Sequence, residues 1–582
     1  MNRISRLFLC VAVAGCDGTT GGVGPTSGGA ATAGGASGGA SAGGSAGGVA
    51  TAGGASGGSS AGGAAGGVAT AGGAAGGMAT AGGTSGGSAG GMTAGGASGG
   101  SAGGMATAGG SVMAGGAGGS GGGFIGRTLY VAPTGNDATS YANNSPTSPW
   151  RTLRRATFGG DTWDLGNPAQ AVQPGDRVLV AAGTYDVDGS NARTTPAFLS
   201  INSGTAQAPI IFEAQGQVVV QLRSGVGPVI GCYRRDYLTW RGFTVRETTA
   251  FPSTPDTGPV VFFLSRGCVL EGSDVDGNGT GHGQMDNHPA IRIEASDETI
   301  LRGNRVHNNY TVANVFNGAC IQTYSSQGFV IERNWLHDCG AGVFVKGGPF
   351  TAAITRSSFI RRNLITNTGE VRLGQTIGGC LAFHAGAPYS PTAPLIVTQN
   401  VMRNCGQYPV RFWSFDGTNP LNNPSNIWFV NNTITGTAES TIHVSGNGSG
   451  QMLPNSGLHV WNNVLAATSQ YGIAFGATVA NLTKANFDVE HNVYFGATSM
   501  ATEWSGTNFT LAAWRSMFGQ DVAAPQSIVA DPAFVSPTDV HLQASSPARG
   551  LGVDVLDLDG DSNTTELIPA GAYVSGTELI GP

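Results

Sequence analysis

Between Gly18 and Gly126 the chain has no Lys, Arg, Asp, Glu or His. That stretch also has too little apolar bulk to offset its chain entropy, which excludes a packed domain there. It is a loose repeat of Gly-Gly-Ala-Ser and Gly-Gly-Met-Ala-Thr units and holds nearly half of the 99 glycines. As a Gly/Ser-type random coil it has an end-to-end distance of roughly 55–60 Å. Residues 16–123 are therefore read as a disordered tether, and the net charge of −7 describes no part of the chain well. Charged residues make up only 11% of the whole, and no basic stripe is present, which excludes nucleic acid as a partner. The sequence also lacks a phosphate-cradling loop, a nucleophilic triad and any Cys-x-x-Cys pair. Helical periodicity of useful length is missing, which argues against alternating strand–helix units.

The first residues read as a signal peptide. Arg3 and Arg6 are its basic region, Leu7 to Ala14 its short apolar core, and small residues precede Cys16. The run is too short to span a bilayer as a helix. Val13-Ala14-Gly15-Cys16 resembles the bacterial lipobox. The resemblance implies removal of residues 1–15 and lipidation of Cys16, where several acyl chains make anchoring durable. Membrane contact is then through the lipid anchor only, and the chain belongs to the cell envelope, at the outer membrane or cell surface. Six cysteines remain beyond it: Cys232, Cys268, Cys320, Cys339, Cys380 and Cys405. An oxidising compartment permits disulfides, but six cysteines allow fifteen connectivities, and buried thiols are the other reading.

What is present is a repeat. Its template is apolar, two variable residues, Asn, one variable residue, apolar. It occurs as Leu301–Val306, Ile331–Leu336, Ile360–Ile365, Val397–Met402, Phe429–Ile434, Val460–Leu465 and Val489–Tyr494. Two earlier copies, Trp240–Val245 and Leu270–Val275, lack the Asn. The nine key positions are Phe243, Ser273, Asn304, Asn334, Asn363, Asn400, Asn432, Asn463 and Asn492, at intervals of 29 to 37 residues. Between them lie alternating segments such as Ala290-Ile-Arg-Ile-Glu294, Gly342-Val-Phe-Val-Lys346 and Cys380-Leu-Ala-Phe-His384. Period-two alternation marks strands with one buried face. Two or more short strands per turn, stacked on neighbouring turns, describe an all-β solenoid. Asn suits the bend because it tolerates left-handed backbone, and repeated on each turn its amides can form a ladder.

Tyr130-Val-Ala-Pro-Thr-Gly-Asn-Asp137, Pro149-Trp-Arg-Thr-Leu153, Pro174-Gly-Asp-Arg-Val178 and Gly183-Thr-Tyr185 resemble the opening of secreted pectate-lyase-like β-helix proteins. Asp531-Pro-Ala-Phe534, Ser545-Ser-Pro-Ala548 and Gly571-Ala-Tyr573 are similar to the closing segment of such proteins. The resemblance implies a right-handed parallel β-helix. Residues 124–230 would form the N-terminal capping helix and first strands, 231–500 the turns, and 501–582 the C-terminal cap. It is specific for fold and weak for activity, because this fold hosts lyases, hydrolases, epimerases and adhesins.

Aligning the alternating segments puts outward residues in two columns. One carries Arg292, Phe344, Ala382, Arg411, His443 and Ala474, the other Glu294, Lys346, His384, Trp413, Ser445 and Gly476. Tyr324 belongs beside them, in a segment whose register is ambiguous by one residue. Cations and aromatic faces along a groove suit an acidic polysaccharide, by charge pairing and stacking. For catalysis the expected chemistry is β-elimination, with Lys346 as base, Arg411 or Arg292 on the carboxylate, and His384 protonating the leaving oxygen. Lys346-Gly-Gly is similar to the Arg-His-Gly of alginate-lyase and chondroitinase B relatives, but no Lys stands at Thr323–Ser325, where their basic partner falls. Arg292, Glu294, Tyr324, Phe344, Trp413 and His443 are the candidate substrate-binding residues. Calcium is the expected metal if there is one, on Asp274, Asp276 and Asp286, with a second oxygen-rich set in Asp557-Leu-Asp-Gly-Asp561. The reading is a monomeric protein that binds or cleaves an acidic polysaccharide. Its rival is a non-catalytic structural or adhesive surface protein.

Overall fold

The computed structural model describes residues 126–582, apart from 161–165, 193, 248–257, 278–286, 311–314, 348–353, 370–377, 385–388, 414–423, 446–456, 477–481 and 504–505. The signal peptide, Cys16, the Gly-rich stretch and Asp286 lie outside the described residues.

The alternating segments and the Asn-containing template form a parallel β-solenoid with three strands per turn. In one turn these are Ile291–Glu294, Ile300–Arg302 and Arg305–Asn309. Each pairs in parallel with its counterpart one turn on, so three stacked sheets result. The first sheet runs through Val260–Phe263, Ile291–Glu294, Ala319–Tyr324, Ala341–Lys346, Gly379–Phe383, Val410–Trp413 and Ser440–Ser445. Its inward residues stack as Val260, Ile291, Ile321, Val343, Leu381, Val410, Ile442 and Ile473, all buried. No helix among the described residues is long and apolar enough to cross a membrane.

The bend between the second and third strands carries the asparagine ladder. Asn304, Asn334, Asn363, Asn400, Asn432, Asn463 and Asn492 are fully buried. Asn363 is typical. Its Nδ2 donates to Ile331 O (2.9 Å) and to Asn400 Oδ1 (2.9 Å), while its Oδ1 accepts from the backbone N and Nδ2 of Asn334, both at 3.0 Å. The left-handed backbone falls one residue earlier than the sequence suggested. Gly242, Gly272, Gly303, Arg333, Arg362, Gln399, Asn431, Asn462 and His491 have φ between 53° and 76°. A fixed αL residue outside turns the chain, and the inward amide satisfies the polar groups that the turn exposes.

Both ends are closed. Leu153–Phe158 is a helix capped by Thr152, whose Oγ1 accepts from Arg155 N (3.1 Å), and it buries Leu153 beside Trp150. This is the capping helix that the resemblance implied. At the other end Leu511–Phe518 buries Trp514. The last segment then returns along the ladder bend. Asn462 Nδ2 donates to Val553 O, Asn431 Nδ2 to Pro569 O, and Gly581 N to Arg362 O. The six cysteines form three disulfides, Cys232–Cys268, Cys320–Cys339 and Cys380–Cys405. Loop-closure entropy makes each worth about 3–4 kcal/mol.

Two stability tests follow. Asn363→Ala strands the Asn334 N–H and the Ile331 carbonyl inside the bend, so denaturant unfolding should show a loss of about 2–4 kcal/mol. Asp521 is fully buried among Tyr494, Ser527 and Arg515, and burial pushes its carboxyl up to about 7. The folded state therefore holds this proton more tightly than the unfolded chain, and stability falls as pH rises from the ordinary carboxylate range through about 7. Asp521→Asn should melt higher than the parent at alkaline pH, with the gain vanishing at acidic pH. An equal gain at both would refute the assignment.

Candidate functional site

The outer face of the first sheet gathers the candidate residues because strand pairing is in register from turn to turn. Arg292, Gln322, Phe344, Ala382, Arg411, His443 and Ala474 form one column. Glu294 pairs with Tyr324, Tyr324 with Lys346, and Trp413 with Ser445, which defines the second column. The ambiguous segment thus resolves with Gln322 and Tyr324 outward and Thr323 inward and buried.

The cations on this face are fixed in different ways. Arg292 is buried; its Nε donates to Glu294 Oε2 (2.8 Å), its Nη1 to Gln322 Oε1 (3.1 Å), and its guanidinium lies 5.6 Å from the Tyr324 ring centroid. Glu294 therefore neutralises it locally. Lys346 Nζ donates to Asn287 Oδ1 (2.6 Å) and Asn317 Oδ1 (3.3 Å) and sits 5.0 Å from the Phe344 ring. Arg411 Nε donates to Ser445 Oγ (2.9 Å), and its guanidinium stacks 3.9 Å from the Trp413 centroid and 5.6 Å from that of Tyr408. Burial pushes Arg411 down to about 10. Burial, and then the Arg411 charge, push His443 down to about 3, so its imidazole is neutral at neutral pH. Tyr408 stacks on His443 at 4.2 Å, and His443 Nδ1 lies 3.1 Å from Ser445 Oγ. His384 meets Phe344 (5.6 Å) and Trp413 (5.1 Å) edge to face.

Asn287, Asn317 and Tyr408 were not singled out from the sequence. The two asparagines precede their strands and follow no period, whereas an aromatic directly before Pro409-Val410 was a readable signal for Tyr408. Behind Asn287 lies a buried pair. His288 Nε2 is 3.2 Å from both carboxylate oxygens of Glu247, and both residues are almost fully buried. The pair anchors the segment that puts Asn287 on Lys346.

Asp274 and Asp276 do not border this face. They flank the inward Val275, which places them outward on the third sheet. There Asp274 meets His307 (3.1 Å) and Arg305 (3.8 Å), and Asp276 meets Arg246 (4.0 Å). Among the described residues, the acid groups close enough to share a cation are Asp554, Asp557 and Asp559, and Asp559, Asp561 and Glu566. These include the second set noted in the sequence, far along the chain from Lys346.

No family model and no curated protein matches the chain. Several solved structures are similar to it. Pectate lyase Pel9A is 15% identical, with 77% of this chain and 96% of that one covered and a TM-score of 0.43. A complex of XylC with xylose is 11% identical, covering 64% and 84%, with a TM-score of 0.37. A rhamnogalacturonan lyase is 14% identical, covering 71% and 91%, with a TM-score of 0.31. The solenoid architecture rests on this chain's own strand register.

Proposed function

We propose that the protein binds an acidic polysaccharide along the outer face of the first sheet and cleaves it by β-elimination. The observation that carries this reading is the convergence of Lys346, His384, Arg411, Trp413 and Tyr408 on one face of a chain otherwise poor in charge. Aromatic faces stack on sugar rings, and cations in a partly desolvated site bind carboxylates more strongly than in water. Elimination requires a cation against the substrate carboxylate and an acceptor for the neighbouring carbon-bound proton. The C–O bond to the next sugar then breaks, a C=C bond forms, and the leaving oxygen takes up a proton. Calcium, where the reaction uses it, would supply further charge neutralisation on the carboxylate. Lipidation at Cys16 would hold the solenoid at the cell envelope, with the Gly-rich stretch as its tether.

The test is the whole chain incubated with pectate, alginate and glycosaminoglycans, with and without calcium, following ultraviolet absorbance of new unsaturated ends. We expect a signal on at least one polymer that falls by about a hundredfold or more in Lys346→Met. Binding without any signal would leave a carbohydrate-binding protein. Silence without binding would favour the structural or adhesive reading. The envelope placement has its own check: Cys16→Ser should abolish incorporation of labelled fatty acid, and persistent labelling would overturn it.

A further inference from the structure

We infer that the last turns of the second sheet carry a separate binding site for a neutral sugar ring, built on Trp428, His459, Trp461 and Asp488. It uses no residue of the first sheet, so it stands or falls apart from the reading given above.

The site begins where the ion pairs of the second sheet stop. Up to Arg361 one outward column of that sheet holds Arg and Glu in turn. The next strands are Leu395–Thr398, Ile427–Val430, Leu458–Trp461 and Phe487–Glu490. Their register continues that column with Thr398, Val430, Trp461 and Glu490, and sets Ile396, Trp428, His459 and Asp488 beside it. The rings form one cluster. The Trp428 ring centroid lies 5.0 Å from that of His459 and 6.2 Å from that of Trp461, and His459 lies 5.2 Å from Trp461. Trp428 and His459 remain half-buried, whereas Trp461 is 7% exposed and Asp488 8%.

Polar atoms in this cluster lack partners. Trp461 Nε1, which can only donate, Asp488 Oδ1, which accepts, and His459 Nδ1 are buried without a hydrogen bond among the described residues. The nearest groups fall short of them. His459 Nδ1 stands 3.5 Å from Asp488 Oδ2, and Lys484 Nζ stands 3.7 Å from Asp488 Oδ1. Buried polar atoms are ordinarily satisfied, so three left over in one cluster mark the place of a missing partner.

A pyranose answers both needs. Its C–H face covers an aromatic ring, while its hydroxyls donate to a carboxylate oxygen and accept from an indole N–H. An acyl chain or an apolar side chain would cover the rings and leave the donor and the acceptor unpaired. Charge then decides the class of sugar. Lys484 is ion-paired with both Asp488 and Glu490, one cation against two carboxylates. A uronate would meet net negative charge here, so the ring that fits is neutral.

The experiment is isothermal titration calorimetry of the whole chain with xylohexaose, cellohexaose and mannohexaose, and with a galacturonate hexamer beside them. At least one neutral hexamer should bind, and Trp428→Ala should weaken it about tenfold or more. Asp488→Ala should weaken it too, because a hydroxyl loses its acceptor. Trp428→Phe keeps a stacking ring and should hold most of the affinity, which guards against a folding defect. Trp413→Ala, on the first sheet, should leave neutral binding unchanged, and Trp428→Ala should leave galacturonate binding unchanged. Three results would overturn the site: no neutral hexamer binds, Trp428→Ala binds it as tightly as the parent, or Trp413→Ala is the variant that loses it. Loss of galacturonate binding in Trp428→Ala would overturn the neutral class. A parent chain that binds a neutral hexamer but no galacturonate would instead count against the first-sheet reading and leave this site standing.

Discussion

The hydrogen-bonded asparagine stack inside the bend is the constraint on which the rest of the structure depends. Every turn reverses direction at an αL residue, and that reversal leaves backbone groups pointing into a closed interior without water. A buried orphan group costs about 1–3 kcal/mol, so a bend without an inward amide would lose much of what its strand pairing gains. Each Asn answers the carbonyls of the turn before it and the amide of its neighbour in the stack. Because the amide reaches neighbouring turns on both sides, a slip of one residue breaks contacts in two places. Register is thereby locked along the solenoid.

The groove inherits that precision. Lys346, His384 and Trp413 sit on different turns, and nothing in their own sequence neighbourhoods aligns them. They line up because the inward stack Val343, Leu381, Val410 and the ladder behind it permit one pairing only. Two of the three disulfides add a second restraint around the same turns, tying Cys320 and Cys380 of the first sheet to positions at the end of the third. Side chains carried on such strands need little further support; Lys346 donates hydrogen bonds to Asn287 and Asn317, and Arg411 donates one to Ser445.

Much of this was legible in the sequence, for a physical reason. A buried ladder position accepts little but Asn, and a pleated strand alternates, so both leave periodic marks: Asn304 to Asn492, and segments like Gly342-Val-Phe-Val-Lys346. Outward columns followed from the same alternation, which is why the positions of Arg411, His443 and Trp413 were readable. The αL position was not, because Gly303, Arg333, Gln399 and His491 share a backbone angle and no chemistry. Nor were Asn287 and Asn317, whose contact with Lys346 depends on segments between strands that obey no period. Asp274 and Asp276 flank Val275, which closes the repeat template, and the same alternation therefore turns both outward on the third sheet.

The second sheet offers an internal comparison for deciding which face acts on a ligand. Its outward residues Glu213, Arg241, Glu271, Arg302, Glu332 and Arg361 alternate in sign from turn to turn. Ion pairs run along them, Arg241 to Glu213 and Glu271, and Glu332 to Arg302 and Arg361. Alternation satisfies each charge locally and presents no net field to a charged partner, as expected of a face that only has to be wet. The first sheet breaks this rule after Glu294. From Tyr324 onward through Lys346, His384, Arg411 and His443, no acid appears in either outward column, while aromatic rings do. Cations held among rings lose hydration, a cost that a carboxylate on a neighbouring turn would offset. The second sheet shows that this solenoid can build alternating ion pairs on the same turns, so the different residue types in the outward columns of the first sheet are a difference between the two faces and not a limit of the fold.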